Sequence, residues 1–399
     1  MKDPSVPSDD TIQEFPSEDT IDHHPQRASD YRLQHYKIHL SHKIQASSFQ
    51  PIRDNEWVIN DSFCISDACY QFRNNTAKLL DNPGSFSDLR LLAINHIYLF
   101  DKIKDQSVTK YFGDSIHQAF FKQLSLDKYI PEKGKKAFDW CTDLANSPPD
   151  NWNTCLSTTA TMLLEATESR NLIDTHTSHV LIQILPSFIS GPPLSRIEDT
   201  LIHHYIAPIL QSIFTSDNRF DIEWANSELN SKDSVIYKPD FIVSCFTNRY
   251  KILVGEIKAP NSSSTIESDL IKLGKQMKIL YNQLVDKHIP DPIACGILIK
   301  GFNLSTYMLD LKSPNLYRLI NISHITLFQS IDEIYKLPMI LSRLLQLKNI
   351  ITTTTEKTET FAINKFNNSS SLPKFQPPLS WLSNDIYLLS RKRKHSGSS

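Results

Sequence analysis

Two hydrophobic rhythms divide the chain. In residues 85–190 the apolar positions come in dense clusters. Leu89, Leu91, Leu92, Ile94, Ile97 and Leu99 crowd the stretch from Phe86 to Phe100, and a second cluster runs from Cys155 to Ile173. Such clusters predict helices. From residue 191 to 350 the rhythm changes. A helix over about 195–213 is followed by a short strand near Asp221 to Trp224 and stronger strands over 235–245 and 250–258. A long helix over about 265–287 then leads to strands near 293–301, 304–311 and 315–320 and a helix over about 331–349. This order predicts an α/β (α+β) protein, with a mixed central sheet flanked by helices and preceded by a mostly helical N-terminal region over 31–190.

Two of these helices carry polar positions worth placing. In the first, Ser195-Arg-Ile-Glu198 reads as a capping box. At about 100° per residue, Glu198 falls on the side of Leu201, Ile202, Tyr205, Ile206, Ile209 and Ile213, so it points toward the packed face, and His203 and His204 point away. Pro208 predicts a kink. In the second, Ser264-Thr-Ile-Glu267 is another capping box. Leu270, Leu273, Met277, Leu280, Tyr281 and Leu284 form the apolar stripe. Lys272, Lys275 and Lys278 lie opposite that stripe, either as a solvated face or as a row that touches a phosphate backbone.

The rest of the chain is less patterned. Residues 1–30 hold eight acidic and two basic residues with several prolines and read as a disordered acidic tail. Residues 351–399 read as a flexible tail, Thr-, Ser-, Asn- and Pro-rich from Thr352 to Pro378. It ends in the basic cluster Arg391, Lys392, Arg393 and Lys394, a nuclear localisation signal or a nonspecific nucleic-acid contact. His35, His39 and His42 share a helical face but have no acidic partner nearby, which favours exposed histidines over a metal site.

Charge adds a constraint. The net charge is -2, and residues 191–350 hold 17 Lys and Arg against 16 Asp and Glu, so nucleic-acid contact requires a local patch. The six cysteines show no zinc-ligand spacing and read as reduced thiols. The N-terminus has no secretory pattern, and the longest apolar run, Val180 to Ile189, is too short to span a bilayer. The expectation is a protein that is neither secreted nor membrane-bound, nuclear if the basic cluster is a signal and otherwise cytoplasmic. Neither does the sequence show a small-molecule cofactor motif.

The chemistry sits in the paired strands. Tyr237-Lys-Pro-Asp-Phe-Ile-Val243 is joined by a polar turn to Lys251-Ile-Leu-Val-Gly-Glu-Ile-Lys258. Strand alternation puts Glu256 and Lys258 on one face, and the short connection brings Asp240 across from Glu256. Pro239 cannot donate to a sheet ladder and suggests a bulge where Asp240 is presented. Gly255 permits close approach of a backbone or ligand. Charged groups at the end of an apolar sheet are costly unless they pair, bind metal or reach solvent. Two carboxylates on adjacent strands suit Mg²⁺ (or Mn²⁺), and a lysine beside them can orient a water or neutralise charge on a phosphate.

Pro239-Asp240 followed by Glu256-Ile257-Lys258, within a helix, three strands, helix, strand layout, resembles the signature of the PD-(D/E)XK nuclease superfamily over residues 191–350. The local phrasing, Lys-Pro-Asp, Gly-Glu-Ile-Lys-Ala-Pro and Asp269-Leu-Ile-Lys-Leu-Gly274, is similar to a group of proteins from early-diverging filamentous fungi. The resemblance implies a restriction-endonuclease-like core and metal-dependent hydrolysis of nucleic acid, DNA first. It implies Asp240, Glu256 and the Ile257 carbonyl as metal ligands and Lys258 as the catalytic lysine, with Glu198 as a further ligand where its capping role does not exhaust it. Glu223 and Glu228 are alternatives for that third acid. Gln276 and Tyr281 resemble a helical Gln/Tyr motif of some members, with a spacing one residue longer. The competing expectation is an inactive nuclease-fold module, a nuclear adaptor binding protein through the N-terminal helices or binding nucleic acid.

Overall fold

The strands Phe241–Cys245 and Lys251–Lys258 have no exposed residue, so their apolar runs must be covered on both faces, and the chain builds helices on each side to do so. The computed structural model describes residues 56–59, 63–79, 86–189, 198–225, 227–230, 236–260, 267–366 and 377–387. The acidic tail, the His35, His39 and His42 group, Ser195, Ser264 and the Arg391 to Lys394 cluster lie outside the described residues.

The strands are β1 (Val58–Ile59), β2 (Phe63–Cys64), β3 (Ile97–Phe100), β4 (Phe220–Trp224), β5 (Leu229–Asn230), β6 (Ile236–Tyr237), β7 (Phe241–Cys245), β8 (Lys251–Lys258), β9 (Ala294–Lys300), β10 (Asn303–Ser313) and β11 (Leu316–Thr326). The helices are α1 (Ile65–Lys78), α2 (Asp88–Ile94), α3 (Asp114–Gln123), α4 (Ala137–Asn146), α5 (Trp152–Ser169), α6 (Leu172–Ile189), α7 (Glu198–Leu201), α8 (Ala207–Thr215), α9 (Asp269–Asp286) and α10 (Leu337–Phe366). A seven-stranded mixed sheet runs in the order β3-β11-β10-β9-β8-β7-β4. Its β8–β9 and β11–β3 pairs are parallel and the others antiparallel. Helix α9 makes the crossover between β8 and β9. The mixed α/β architecture is the one the residue pattern predicts.

Several elements depart from expectation for physical reasons. The stretch Phe86 to Phe100 is a helix only as far as Ile94. His96 adopts φ +62, the chain turns, and Ile97-Tyr-Leu-Phe100 becomes an edge strand parallel to β11. The N-terminal half therefore completes the sheet, and one hydrophobic cluster contains residues from both halves. The run from Cys155 to Ile173 is broken at Arg170, whose φ of +53 separates α5 from α6. Pro208 has no N–H to offer the carbonyl of His204, and the irregularity takes the form of a π-helical turn, Ile202–Ile206, between α7 and α8. The 235–245 strand is split by Lys238 and Pro239 into β6, paired with β5, and β7.

The loose tail expected from Thr352 is corrected as far as Phe366, because α10 continues to that residue. Threonine is a weak helix former, yet here its hydroxyls are satisfied locally. Thr353, Thr355 and Thr358 donate to the carbonyls of Ile350, Ile351 and Thr355, and Thr354 exchanges bonds with the Ile293 backbone. Helix α9 starts at Asp269 and is capped by Ser268, whose hydroxyl accepts from Ile271 N, instead of by a box ending at Glu267.

The largest correction concerns α9. Lys275 and Lys278 are fully buried, so they are neither a solvated face nor, in this conformation, contacts for a phosphate backbone. Residues 377–387 lie over them as a strap. Lys278 Nζ donates to Asn95 O and Asp385 O, both at 2.9 Å, and to Ser383 Oγ at 3.1 Å. Lys275 Nζ donates to Tyr387 O and pairs with Glu267, while Asn282 donates to Ser383 O.

Candidate metal centre

The site forms at the carboxyl ends of β8 and β9. Phe241 stands opposite Gly255 in the β7–β8 ladder, which brings Asp240 beside Glu256. Gly255 makes room for a protein side chain, not a ligand: a Cβ there would lie 3.1 Å from Cβ of Phe241. Just after Pro239, the chain continues the ladder in an altered way. Asp240 N donates to Gly255 O at 3.0 Å, and Asp240 Oδ2 accepts from Ile257 N at 2.8 Å. A carboxylate thus takes a place that a backbone carbonyl holds in a regular sheet, and the next turn of chemistry is fixed to the backbone of β8.

Three oxygens converge on the ammonium of Lys258. Its Nζ lies 2.8 Å from Ile257 O, 3.3 Å from Glu198 Oε1 and 3.4 Å from Asp240 Oδ2. The side chains of Lys258, Asp240 and Glu198 are 21%, 22% and 36% exposed, so the cluster is reachable from solvent. Burial works against the Lys258 charge, but Asp240, Glu198 and Glu256 outweigh it and hold the ammonium above its usual pKa. Helix α7 supplies Glu198 from its first turn, where the half-buried carboxylate reaches Lys258 Nζ.

Glu256 lives in a different environment. It is fully buried, accepts from Gln276 Nε2 at 2.6 Å and pairs with Lys272. Burial pushes its carboxyl up to about 7, with Asp240 adding to the rise and Lys272 and Gln276 opposing it. The two strand residues expected to act together are therefore held apart in role: Lys258 faces the acids, and Glu256 faces α9. Among the described residues no three His, Cys, Asp or Glu side chains are gathered as a metal ion needs. The physical reason is that Lys258 stands between Glu198 and Asp240 while Lys272 and Gln276 hold Glu256.

Lys272, which the sequence places either on a solvated face or against a phosphate backbone, is half-buried and pairs with Glu256. The signal for that role was present, since Lys272 and Gln276 are spaced i, i+4 and share a helix face. Tyr281 is buried edge-on against Tyr317, away from the site. Glu223 bonds Ser227 and Glu228 pairs with Lys238, so neither alternative acid joins the cluster. The six cysteines form no disulfide, and among the described residues no helix is long and apolar enough to cross a membrane. Comparison of the chain with family models, curated proteins and solved structures yields no match.

Proposed function

We propose that this chain hydrolyses phosphodiester bonds of nucleic acid, DNA first, in a divalent-metal-dependent reaction carried by a restriction-endonuclease-like core of the PD-(D/E)XK type. The observation that supports this reading is the convergence of Glu198, Asp240 and the Ile257 carbonyl on a single cationic group. All three donors are oxygens, the hard set that Mg²⁺ or Mn²⁺ prefers. A place built to hold an ammonium with two carboxylates and a carbonyl fits such a cation. Asp240, Glu198 and Ile257 O would hold it, with Glu256 behind them. When bound, the metal lowers the pKa of a water and polarises a phosphoryl oxygen.

The chain's own residues do the rest. Asp240 is oriented by the Ile257 N–H, which fixes one oxygen and leaves the other for a ligand. Lys258 supplies positive charge to a phosphate oxygen or orients the attacking water. Lys272 and Gln276 hold Glu256 in place. The basic residues Arg391 to Lys394 fit a nuclear signal, and partner proteins would meet the N-terminal helices. A second reading, a noncatalytic nuclease-fold adaptor, draws support from the same ammonium, which in this conformation neutralises the acids that a metal would use.

The test is cleavage of single- and double-stranded DNA and RNA with Mg²⁺, Mn²⁺ or EDTA. Wild type should cut with metal and not with EDTA. Asp240→Ala and Lys258→Ala should each lower the rate by about 100-fold or more. Cleavage that survives both substitutions removes the mechanism, and no cleavage by wild type on any substrate leaves the adaptor.

A further inference from the structure

One cation at this end of the sheet is used by none of the contacts above. In the parallel β8–β9 pair, Lys258 is in register with Lys300. Neighbouring strands lie about 4.8 Å apart, and residues in register project from the same face. That face is the one toward α9: a Cβ on Gly296 would meet Met277 and Leu273, and Glu256 reaches Lys272 and Gln276 on the same side. The backbone of Lys300 therefore stands beside that of Lys258 at the end of the sheet.

The backbone keeps it there. Gly301, at φ +59, donates its N–H to Lys258 O at 2.8 Å, and a Cβ on it would come within 3.1 Å of Pro260 Cα. The end of β9 is thus pinned to the end of β8 by a turn that favours glycine. The ion pairs at this end of the sheet belong to Lys258 and Lys272. Lys300 is exposed and takes part in none among the described residues. Like charges side by side on adjacent strands repel, and here one of the two lysines is neutralised by acids while the other is left to solvent. The Lys300 charge is nevertheless felt locally. It helps pull down the Asp88 carboxyl, which burial raises and the Ser268 hydroxyl also opposes.

We propose that Lys300 is the substrate-contact residue of this site, the one that binds a backbone phosphate of a polyanionic phosphodiester next to the bond served by Lys258. This rests on the hydrolytic reading above and adds what that reading lacks in a nearly neutral domain, a local cation devoted to the substrate. Lys300 acts as a point charge on phosphate, so its contribution is independent of base sequence and sensitive to salt.

The experiment measures anisotropy of a short labelled DNA duplex with the full chain in Ca²⁺, across a salt series, for wild type, Lys300→Glu, Lys300→Arg and Asp240→Ala. Steady-state cleavage in Mg²⁺ is measured for the same proteins. Lys300→Glu should weaken binding about tenfold and reduce the log–log salt slope by about one, with Lys300→Arg close to wild type. KM should rise about tenfold in Lys300→Glu while kcat stays within about twofold, a split that a merely structural surface lysine does not produce. If wild type and Lys300→Glu bind alike while Asp240→Ala loses cleavage, the Lys300 assignment falls and the hydrolytic reading stands. If wild type does not bind the duplex, the Lys300 assignment falls, and if it also cuts no single- or double-stranded DNA or RNA, the hydrolytic reading falls with it.

Discussion

Helix α9 handles lysines in two opposite ways. At its first turns Lys272 reaches a carboxylate, Glu256, near a cluster that solvent can enter. Further along, Lys278 is sealed under the strap, and the partners that receive it include two neutral backbone carbonyls and a hydroxyl. Both arrangements satisfy an ammonium taken from water, but only one can respond to its surroundings. A carboxylate can take up a proton or pass to another cation. A carbonyl can do neither. The first region has the makings of chemistry, and the second is a fastening that holds residues 377–387 along the helix that positions Glu256.

The sharpest way to break this contrast is at the fastening. Lys278→Met removes the donor from Asn95 O, Asp385 O and Ser383 Oγ at once. The carbonyls and the hydroxyl cannot themselves titrate to relieve the loss, and a buried acceptor left unmade costs more than the bond contributed. Urea unfolding should show a loss of about 3 kcal/mol, and hydrogen exchange should speed up in residues 377–387. A loss below about 1 kcal/mol would mean that the strap is not fastened by this lysine.

The two regions also differed in how far they could be read from the sequence. The placement of Asp240, Glu256 and Lys258 on paired strands was legible because a short turn joins the strands and alternation fixes the faces, while the hold of α9 on Glu256 was not. Glu198 was legible only in part, because 100° steps relate it to Leu201 but the π-helical turn Ile202–Ile206 breaks the count before Ile209. The fate of Lys275 and Lys278 was not legible. Their cover comes from about a hundred residues downstream, and helical periodicity alone makes any lysine opposite an apolar stripe look solvated. Strand β3 was hidden for a related reason: four apolar residues following a helix carry no period that separates strand from helix until His96 turns the chain. The threonines of α10 concealed a helix because their propensity is weak, and the tertiary contacts that offset it, such as Thr354 with Ile293, come from a distant part of the chain.

A smaller effect sharpens the contrast from the responsive side. Glu256 is held near 7, against an ordinary value of 4.5, so between those pH values the folded protein keeps a proton that the unfolded chain has released. Stability from this group is therefore present below about 4.5 and is lost as pH rises through about 7. The buried histidines His96 and His176, lowered by burial to about 3 and about 4, push the other way, since the folded protein then holds fewer protons than the unfolded chain. The informative quantity is thus the difference between wild type and Glu256→Gln. Moving from pH 5 to pH 8, wild type should lose about 2 kcal/mol relative to the variant, because glutamine does not titrate and any fixed cost of the substitution cancels. Parallel stability curves would show that Glu256 carries its charge throughout, and the responsive half of the comparison would fail.

The smallest effect is expected at Lys272, and it separates the two kinds of burial most cleanly. By length and charge Lys272→Met is the same substitution as Lys278→Met, one turn and a half away on the same helix. Removing Lys272 leaves Glu256 with Gln276 and with Asp240, whose charge disfavours the carboxylate, so the Glu256 pKa moves further up. The carboxyl escapes by keeping its proton, and Lys272 is itself 31% exposed, so little packing is lost. At pH 6, where wild-type Glu256 is already mostly protonated, the cost should be about 1 kcal/mol or less. At pH 9 the variant must either bury an unpaired carboxylate or hold a proton against solution, and the cost grows by up to about 1.4 kcal/mol per pH unit between the wild-type and variant pKa values. Unfolding measured at both pH values should show a loss that widens with pH for Lys272→Met and stays level for Lys278→Met. A level loss in both would place the two lysines in one class, with the Glu256 pair as fixed as the strap.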